Sequence, residues 1–297
     1  MTWDRLDQEL AGTNGTVSVY AGRLDAAPAY TRLPDVTHYA ASTMKIAVLA
    51  ALYRAADTGT LDLDTPVPVK NEFHSARPGA PRFRCKPGND NDPAVWARVD
   101  GHSPLRWLAE RMIVKSSNLA TNLLLDHVGL PAVATVWALA GARHSHTGRG
   151  IEDFAARDAG IDNPVTAADL AALLGTIARG AREPGPLATP ATCAAMLDVL
   201  LAQEHHEDLA AGLPPGTRVA LKNGWVRGIR HAAGVVLPDD APPYTLVVCT
   251  SDHPDGRGIT RTDPDTAARR LIAHVSATVW TARHDLRPAA PETDPKR

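Results

Sequence analysis

A serine and a lysine one helical turn apart give the sequence its first sign of chemistry. They are Ser42 and Lys45 in the run S-T-M-K, which opens a segment whose apolar spacing predicts a helix. Residues at i and i+3 share a helix face, so the hydroxyl and the amine are expected to lie together. Apolar neighbours such as Val48 and Leu49 would lower the lysine pKa. We therefore predict Ser42 as a nucleophile and Lys45 as its base; a helix cap with a solvated lysine is the alternative.

A second polar group, Ser116-Ser117-Asn118, lies between two predicted helices. A turn at such a junction can project a hydroxyl and an amide into a cleft. Ser116 could then pass a proton to a leaving amine, and Asn118 could bind a substrate amide carbonyl. A helix N-cap is the alternative, because serine and asparagine often occupy that position.

A third group, Lys222-Asn223-Gly224-Trp225, ends a strand-like segment. A lysine there can bind a substrate carboxylate as a point charge. Gly224 lets a ligand approach the backbone closely, and the Trp225 amide could join that of Ser42 in binding an oxyanion. Asn-Gly also predicts a hairpin turn, which is compatible with binding.

In type and order, these elements resemble the S-x-x-K, S-x-N and K-T/S-G motifs of class A β-lactamases and penicillin-binding proteins. The resemblance spans about residues 17–273. It implies a two-lobe α/β fold, with an antiparallel sheet flanked by the terminal helices and an inserted all-α lobe. One catalytic domain would cover 1–285, its α/β lobe formed by about 1–41 and 212–285 and its helical lobe by about 42–211. The resemblance also implies that Asn122 buttresses the active-site loop.

The sequence departs from that family in several places. Asn223 replaces a threonine or serine whose hydroxyl would help bind a substrate carboxylate, and Ser117 replaces an aspartate. Residues 71–95 are rich in Pro, Gly, Asn and Asp and predict a long loop inserted beside the site. Arg230 follows the lysine strand, where the family often has an arginine for the substrate carboxylate; an exposed strand-end charge is the alternative.

The sequence around the carboxylate that would activate the deacylating water also differs from the family motif. Glu152 lies at about the distance from Ser116 that the family shows, but the Leu-Asn pair that should follow is replaced by Ala155-Ala156. We predict Glu152 as the base, with a solvated loop carboxylate as the alternative. Asp153 is the nearest substitute.

Composition excludes several other classes of function. The 297 residues carry a formal net charge of −2, so neither a nucleic acid nor an anionic membrane surface is an expected partner. No apolar run approaches a membrane span, and no secretory signal is visible, which predicts a cytoplasmic protein with reduced thiols. No carboxylate or cysteine completes a ligand set with the histidine pairs, so no metal is expected. These pairs are His144 with His146 and His205 with His206.

The function predicted from these residues is a serine acyl-hydrolase acting on an amide or β-lactam bond, without a cofactor and as a monomer. A D-peptidase, an esterase and a biosynthetic amide acyltransferase remain open, with an amide, lactam or ester as substrate. A penicillin-binding sensor that does not turn over is the third alternative. The Pro-rich, charged tail at 286–297 is predicted to be disordered.

Overall fold

The computed structural model describes residues 3–251 and 267–286. Its strands are β1 Thr16–Arg23, β2 Tyr30–Arg32, β3 His38–Tyr39, β4 Pro66–Pro68, β5 His102–Pro104, β6 Pro164–Val165, β7 Arg218–Val226, β8 Ile229–Leu237 and β9 Tyr244–Ser251. Its helices are α1 Trp3–Ala11, α2 Lys45–Asp57, α3 Pro93–Trp96, α4 Leu105–Val114, α5 Asn118–Val128, α6 Leu130–Leu139, α7 Phe154–Asp158, α8 Ala167–Gly180, α9 Pro190–Leu201 and α10 Ala267–Thr281. Three short 3-10 turns cover Ala41–Met44, Pro87–Asn89 and Ala210–Gly212.

A five-stranded antiparallel sheet joins the two ends of the chain. Its strand order is β2-β1-β9-β8-β7, which leaves β7 at an edge. Helices α1 and α10 cover one face, where Leu6 and Ile272 pack in a core with Val19 and Leu221. Helix α8 packs against β8 and β9 on the other face. The predicted α/β fold with terminal helices on an antiparallel sheet is confirmed.

Helix α2 lies at the centre of the helical part of the molecule. It contacts α5, α6 and α9, and its first nine residues are all buried. A helix that is apolar on every side is stable only when its neighbours surround it. Lys45, the first residue of α2, is therefore fully buried with the rest of that helix.

Residues 71–95 fold back on themselves beside α5. Phe73 and Phe83 form an isolated antiparallel bridge, and their rings lie 5.6 Å apart. Asp92 caps α3 and forms a buried ion pair with Arg111 of α4, which fixes the end of the segment. The predicted loop therefore has a defined path along the site.

Three other expectations concern the whole chain. Cys85, Cys193 and Cys249 are buried free thiols. Of the predicted tail, only residue 286 is described, so residues 287–297 lie outside the described part. Within the described ranges, no single helix is long and apolar enough to cross a membrane, although the bent pair α5 and α6 together meet that length and composition.

Candidate active site

Ser42 lies in the 3-10 turn that precedes α2, on the wall of a cavity of about 540 Å³. Ala41 has a φ of 46°, and the amide and hydroxyl of Thr43 both donate to the Ala40 carbonyl. The left-handed conformation of Ala41 is costly for a residue with a Cβ. The α-helix thus begins at Lys45 and not at Ser42, and the tight turn presents the serine to the cavity.

The Lys45 amine is surrounded by oxygen acceptors from the Ser116 segment. Its Nζ lies 2.8 Å from the Ser116 carbonyl oxygen, 3.3 Å from Ser116 Oγ, 3.3 Å from the Ser117 carbonyl oxygen and 2.9 Å from Asn118 Oδ1. Burial lowers the pKa of Lys45 to about 7, against the opposing effect of the Asp90 charge. Burial is therefore the physical cause of the low pKa that the sequence predicted for Lys45.

Ser116 lies between two buried amines. Lys222 Nζ donates to Ser116 Oγ over 3.0 Å and to the carbonyl of Asn223 over 2.9 Å. Burial, and next the nearby Lys45 charge, hold the pKa of Lys222 well below its usual range. Ser116 itself has a φ of 60° and is almost fully buried. The hydroxyl of Ser116 can therefore exchange protons with either lysine.

The end of β7 runs against the turn that carries the nucleophile. A Cβ at Gly224 would lie 2.9 Å from the Ser42 amide nitrogen and 3.0 Å from the Ala40 carbonyl oxygen. Gly224 thus permits close contact between two backbone segments of the protein. The sequence had predicted close contact between this backbone and a ligand. Trp225 follows on the cavity wall. Its amide as an oxyanion donor stays a prediction.

Glu152 lines the same cavity from the loop before α7. Its Oε2 accepts from the Lys86 amide over 3.2 Å and from Asn89 Nδ2 over 3.0 Å. Its Oε1 is buried and has no hydrogen-bond partner among the described residues. A φ of 65° at Glu152 indicates that the backbone is held in an unfavourable conformation to place this carboxylate.

The neighbouring carboxylate, Asp153, is placed differently. Its Oδ1 accepts from the Ser75 hydroxyl over 2.7 Å and from the Ala156 amide over 3.2 Å, and its Oδ2 accepts from the Ala76 amide over 2.7 Å. Asp153 therefore caps α7 and fastens it to the 71–95 segment. It is not among the residues that line the cavity.

Two asparagines of α5 connect the helix to the loops beside the site. Asn118 lines the cavity, and its Nδ2 donates to the Asn89 carbonyl over 2.8 Å. Asn122 Oδ1 accepts from the Ile151 amide, and its Nδ2 donates to the Ile151 carbonyl, both over 2.8 Å. Asn122 thus supports the loop that carries Glu152, as the resemblance to the family implied.

Asn89 and Asp90 are the residues that sequence reasoning missed. Asp90 Oδ2 accepts from the Ser117 hydroxyl over 3.1 Å and from the amides of Asn118 and Leu119 over 3.0 and 2.8 Å. Asp90 thus brings a carboxylate from the 71–95 segment next to Ser117, the residue that replaces the family's aspartate. The Asn89 amide likewise contacts Glu152, where the family's own asparagine is missing. In the sequence, the replacement of the family's aspartate by Ser117 pointed to a residue such as Asp90, and the replacement of its Leu-Asn pair by Ala155-Ala156 pointed to one such as Asn89.

Arg230 and Asn223 lie behind the cavity wall. Arg230 is 2% exposed and pairs with Asp208 through Nε at 3.0 Å and Nη2 at 2.9 Å, while Asn223 Nδ2 also donates to Asp208. Neither residue, nor Lys222, lines the cavity. Their contact with a substrate carboxylate stays a prediction, and for Arg230 it now requires that the arginine leave Asp208.

Three of the histidines lie close to elements of the site. His205 lies edge-on to the Trp225 ring at 5.0 Å, and no cluster of three potential metal ligands occurs in the described ranges. Two others, His38 and His231, are buried with rings 5.5 Å apart. His38 bonds to Ser18 and Ser251 hydroxyls, and His231 bonds to the Tyr39 carbonyl, so they fasten the segment before Ser42 to the sheet.

The sequence profile of the beta-lactamase enzyme family matches residues 2–282. The chain therefore belongs to that family, as its motifs predicted. No functionally curated protein matches the sequence.

Solved structures share this fold at low sequence identity. PBP-A is 23% identical, with a TM-score of 0.74 over 94% of both chains. The β-lactamase of Sphaerobacter thermophilus is 24% identical, with a TM-score of 0.73 over 97% of this chain and 100% of that one. A variant of the class A β-lactamase of the last common ancestor of Gram-negative bacteria is 22% identical, with a TM-score of 0.75 over 96% and 99%.

Proposed function

We propose that this protein is a serine hydrolase in which Ser42 attacks an amide or β-lactam carbonyl and water releases the acyl group. One observation carries the proposal: Ser42 opens on a cavity, and behind it two buried amines share the Ser116 hydroxyl. Such an arrangement supplies a nucleophile and a route for its proton.

Acylation begins with the proton of Ser42. Neutral Lys45 accepts it, or Glu152 does so through a water molecule, as the Ser42 oxygen bonds to the carbonyl carbon. Lys45 forms no hydrogen bond to Ser42 in this arrangement, so the two groups must move closer first. The amides of Ser42 and Trp225 are proposed to bind the oxyanion.

Expulsion of the leaving group needs a proton on its nitrogen. Ser116 donates its hydroxyl proton as the carbon–nitrogen bond breaks, and Lys45 or Lys222 returns one to Ser116. The separations of 3.3 and 3.0 Å between the two lysine Nζ atoms and Ser116 Oγ allow either lysine to do so. A lowered pKa makes this transfer easier for both amines.

Deacylation needs a base beside the ester. Glu152 is proposed to take a proton from the water that attacks the ester carbonyl; the bond from that carbon to Ser42 Oγ then breaks, and Ser42 regains a proton from Lys45 or Glu152. The Oε1 of Glu152 has no hydrogen-bond partner among the described residues and can accept this proton once water reaches it. This carboxylate in the cavity favours turnover over the sensor hypothesis. A point mutant of PBP-A, 23% identical to this chain, was solved as an acyl-enzyme with penicillin G, which supports the same intermediate here.

A non-lactam D-peptidase, esterase or amide acyltransferase is the second candidate. The 71–95 segment contributes Asn89 and Asn91 to the cavity and holds Glu152 through Lys86 and Asn89. An inserted segment at the wall changes which leaving groups and acceptors fit. This observation favours a substrate other than a penicillin, acted on through the same acyl-enzyme.

Intact-protein mass spectrometry over time tests the proposal. A penicillin and a small activated ester are each mixed with the wild-type protein and with Ser42→Ala. We expect an adduct on the wild type that disappears at a measurable rate, and none on the variant. A persistent adduct would favour the sensor, and an adduct on Ser42→Ala would refute the nucleophile.

A further inference from the structure

Two of the groups expected to bind a substrate carboxylate, Asn223 and Arg230, already bind a carboxylate of the protein itself. Asp208 is fully buried, and both of its oxygens accept hydrogen bonds from Asn223 and Arg230. The Leu209 amide also donates to Asp208 Oδ1 over 2.8 Å. This carboxylate is therefore fixed, and it neutralises the arginine from inside the protein.

The Asp208 pair stands directly behind the cavity wall. Trp225 is paired with Arg230 across β7 and β8, and alternation along a strand puts Asn223 and Trp225 on the same face. The Trp225 ring, which lines the cavity, lies 5.4 Å from the Arg230 guanidinium. A substrate group that passed this wall would meet a buried negative charge next to the arginine.

Three arginines line the cavity wall, Arg149, Arg157 and Arg227, and the first two are ion-paired. Arg149 donates to Asp162 over 2.8 Å, and Arg157 donates to Asp158 over the same distance. Arg149 is almost fully buried in that arrangement. The Arg149 charge is therefore compensated within the wall, whereas Arg157 and Arg227 are more exposed and lie away from Arg230's position behind the wall.

We infer that Asp208 is a specificity-determining residue that directs the enzyme to substrates without a carboxylate next to the scissile bond. Asp208 occupies the hydrogen-bonding positions of Arg230 and Asn223, so an anionic leaving group would have to displace it to reach either donor. A neutral amide or ester leaving group does not need these donors and does not meet this obstacle. The inference rests on the proposed function and names its substrate class.

A matched pair of acyl donors tests the inference. Both carry the same acylglycyl ester of a 2-hydroxy acid, one as the free carboxylate and the other as the methylamide. The rate constant for acylation of Ser42 is measured by quenching and intact mass for the wild type and Asp208→Asn. Asp240→Asn is the control, because it changes a surface carboxylate that is also paired with an arginine, Arg283.

We expect the wild type to prefer the neutral donor by at least about tenfold, and Asp208→Asn to move that ratio towards the charged donor by a similar factor. Asp240→Asn should leave the ratio unchanged. If Asp208→Asn does not fold, the double variant Asp208→Asn/Arg230→Gln removes both charges, and its ratio should approach one.

Three results would overturn the inference: a wild type that prefers the charged donor, equal rates in the wild type, or a ratio that Asp208→Asn does not change. In each of these cases the acyl-enzyme mechanism would still stand. If neither donor acylates Ser42 while a penicillin or a small activated ester does, the inferred substrate class is refuted and the proposed function stands.

Discussion

The pH dependence of acylation should report the protonation of Lys45. Burial lowers the pKa of Lys45 to about 7, so the neutral amine that can act as a base is lost as the pH falls through that value. The neutral fraction is roughly nine-tenths at pH 8 and one-tenth at pH 6, a change of about tenfold. Single-turnover acylation of Ser42 should fall by that factor between these pH values.

Asp90 provides the perturbation that tests the assignment. Its charge opposes the effect of burial, so Asp90→Asn should move the midpoint of the acylation profile to lower pH. Asparagine keeps one oxygen that can accept from the Ser117 hydroxyl and the α5 amides. Glu72→Gln is the control in the same segment, because Glu72 pairs with Arg84 at the surface.

Stopped-flow or quenched mixing with an activated acyl donor at saturating concentration gives the acylation rate from pH 5 to 9. A profile that is flat over this range, or one whose midpoint Asp90→Asn moves to higher pH, would refute Lys45 as the base. In the case of a flat profile, Glu152→Gln should be measured next. A loss of acylation in that variant would transfer the role to Glu152 and water.

Three further predictions concern deacylation and acid stability. Glu152→Gln should keep the acylation burst and reduce steady-state turnover by about 10²–10⁴-fold, since general-base help is lost; turnover at the wild-type rate would make Glu152 a loop charge. Asn89→Ala should slow deacylation by about tenfold to a hundredfold, because it removes the amide that holds Glu152. The control Asn71→Ala, which changes only contacts to Cys85, should leave the deacylation rate unchanged. Equal losses of rate in the two variants would indicate a general effect on the loop. Burial lowers the pKa of His38 to about 3 and of His231 to about 4, so both side chains stay neutral in the folded protein while they take up protons in the unfolded chain below pH 6.5. The free energy of unfolding, measured with urea, should therefore fall by about 4 kcal/mol from pH 7 to 5. An equal fall in the His38→Gln/His231→Gln variant would contradict this explanation.

Short-range patterns predicted the fold, and they singled out Ser42, Ser116 and Lys222 as candidate site residues. The spacing of Ser42 and Lys45 is a property of one turn, and the alternation near Lys222 is a property of one strand. The strand at Lys222 is present as predicted, whereas the α-helix begins at Lys45 and the Lys45 amine bonds to the Ser116 segment and not to Ser42. The central helix α2 was predicted from its apolar spacing.

The missed residues depend on contacts that local spacing cannot show. Asn89 and Asp90 lie in an irregular segment, and only its path past α5 brings them to Glu152 and Ser117. Nothing local in the sequence distinguishes Asp208 from the other acidic residues, because strands β7 and β8 bring Asn223 and Arg230 to it from more distant positions. Departures from the family motif were the only trace of these contacts in the sequence.

The shared hydroxyl of Ser116 has a consequence for how the chain acquires activity. Ser116 and Lys45 are 71 residues apart in sequence, and Ser116 and Lys222 are 106 apart. Contacts of such separation require closure of long loops, which is slow compared with the formation of helices. During refolding from urea, helical circular dichroism should therefore return before the capacity to acylate Ser42, and a nascent chain gains its chemistry only after β7 has been synthesised and docked.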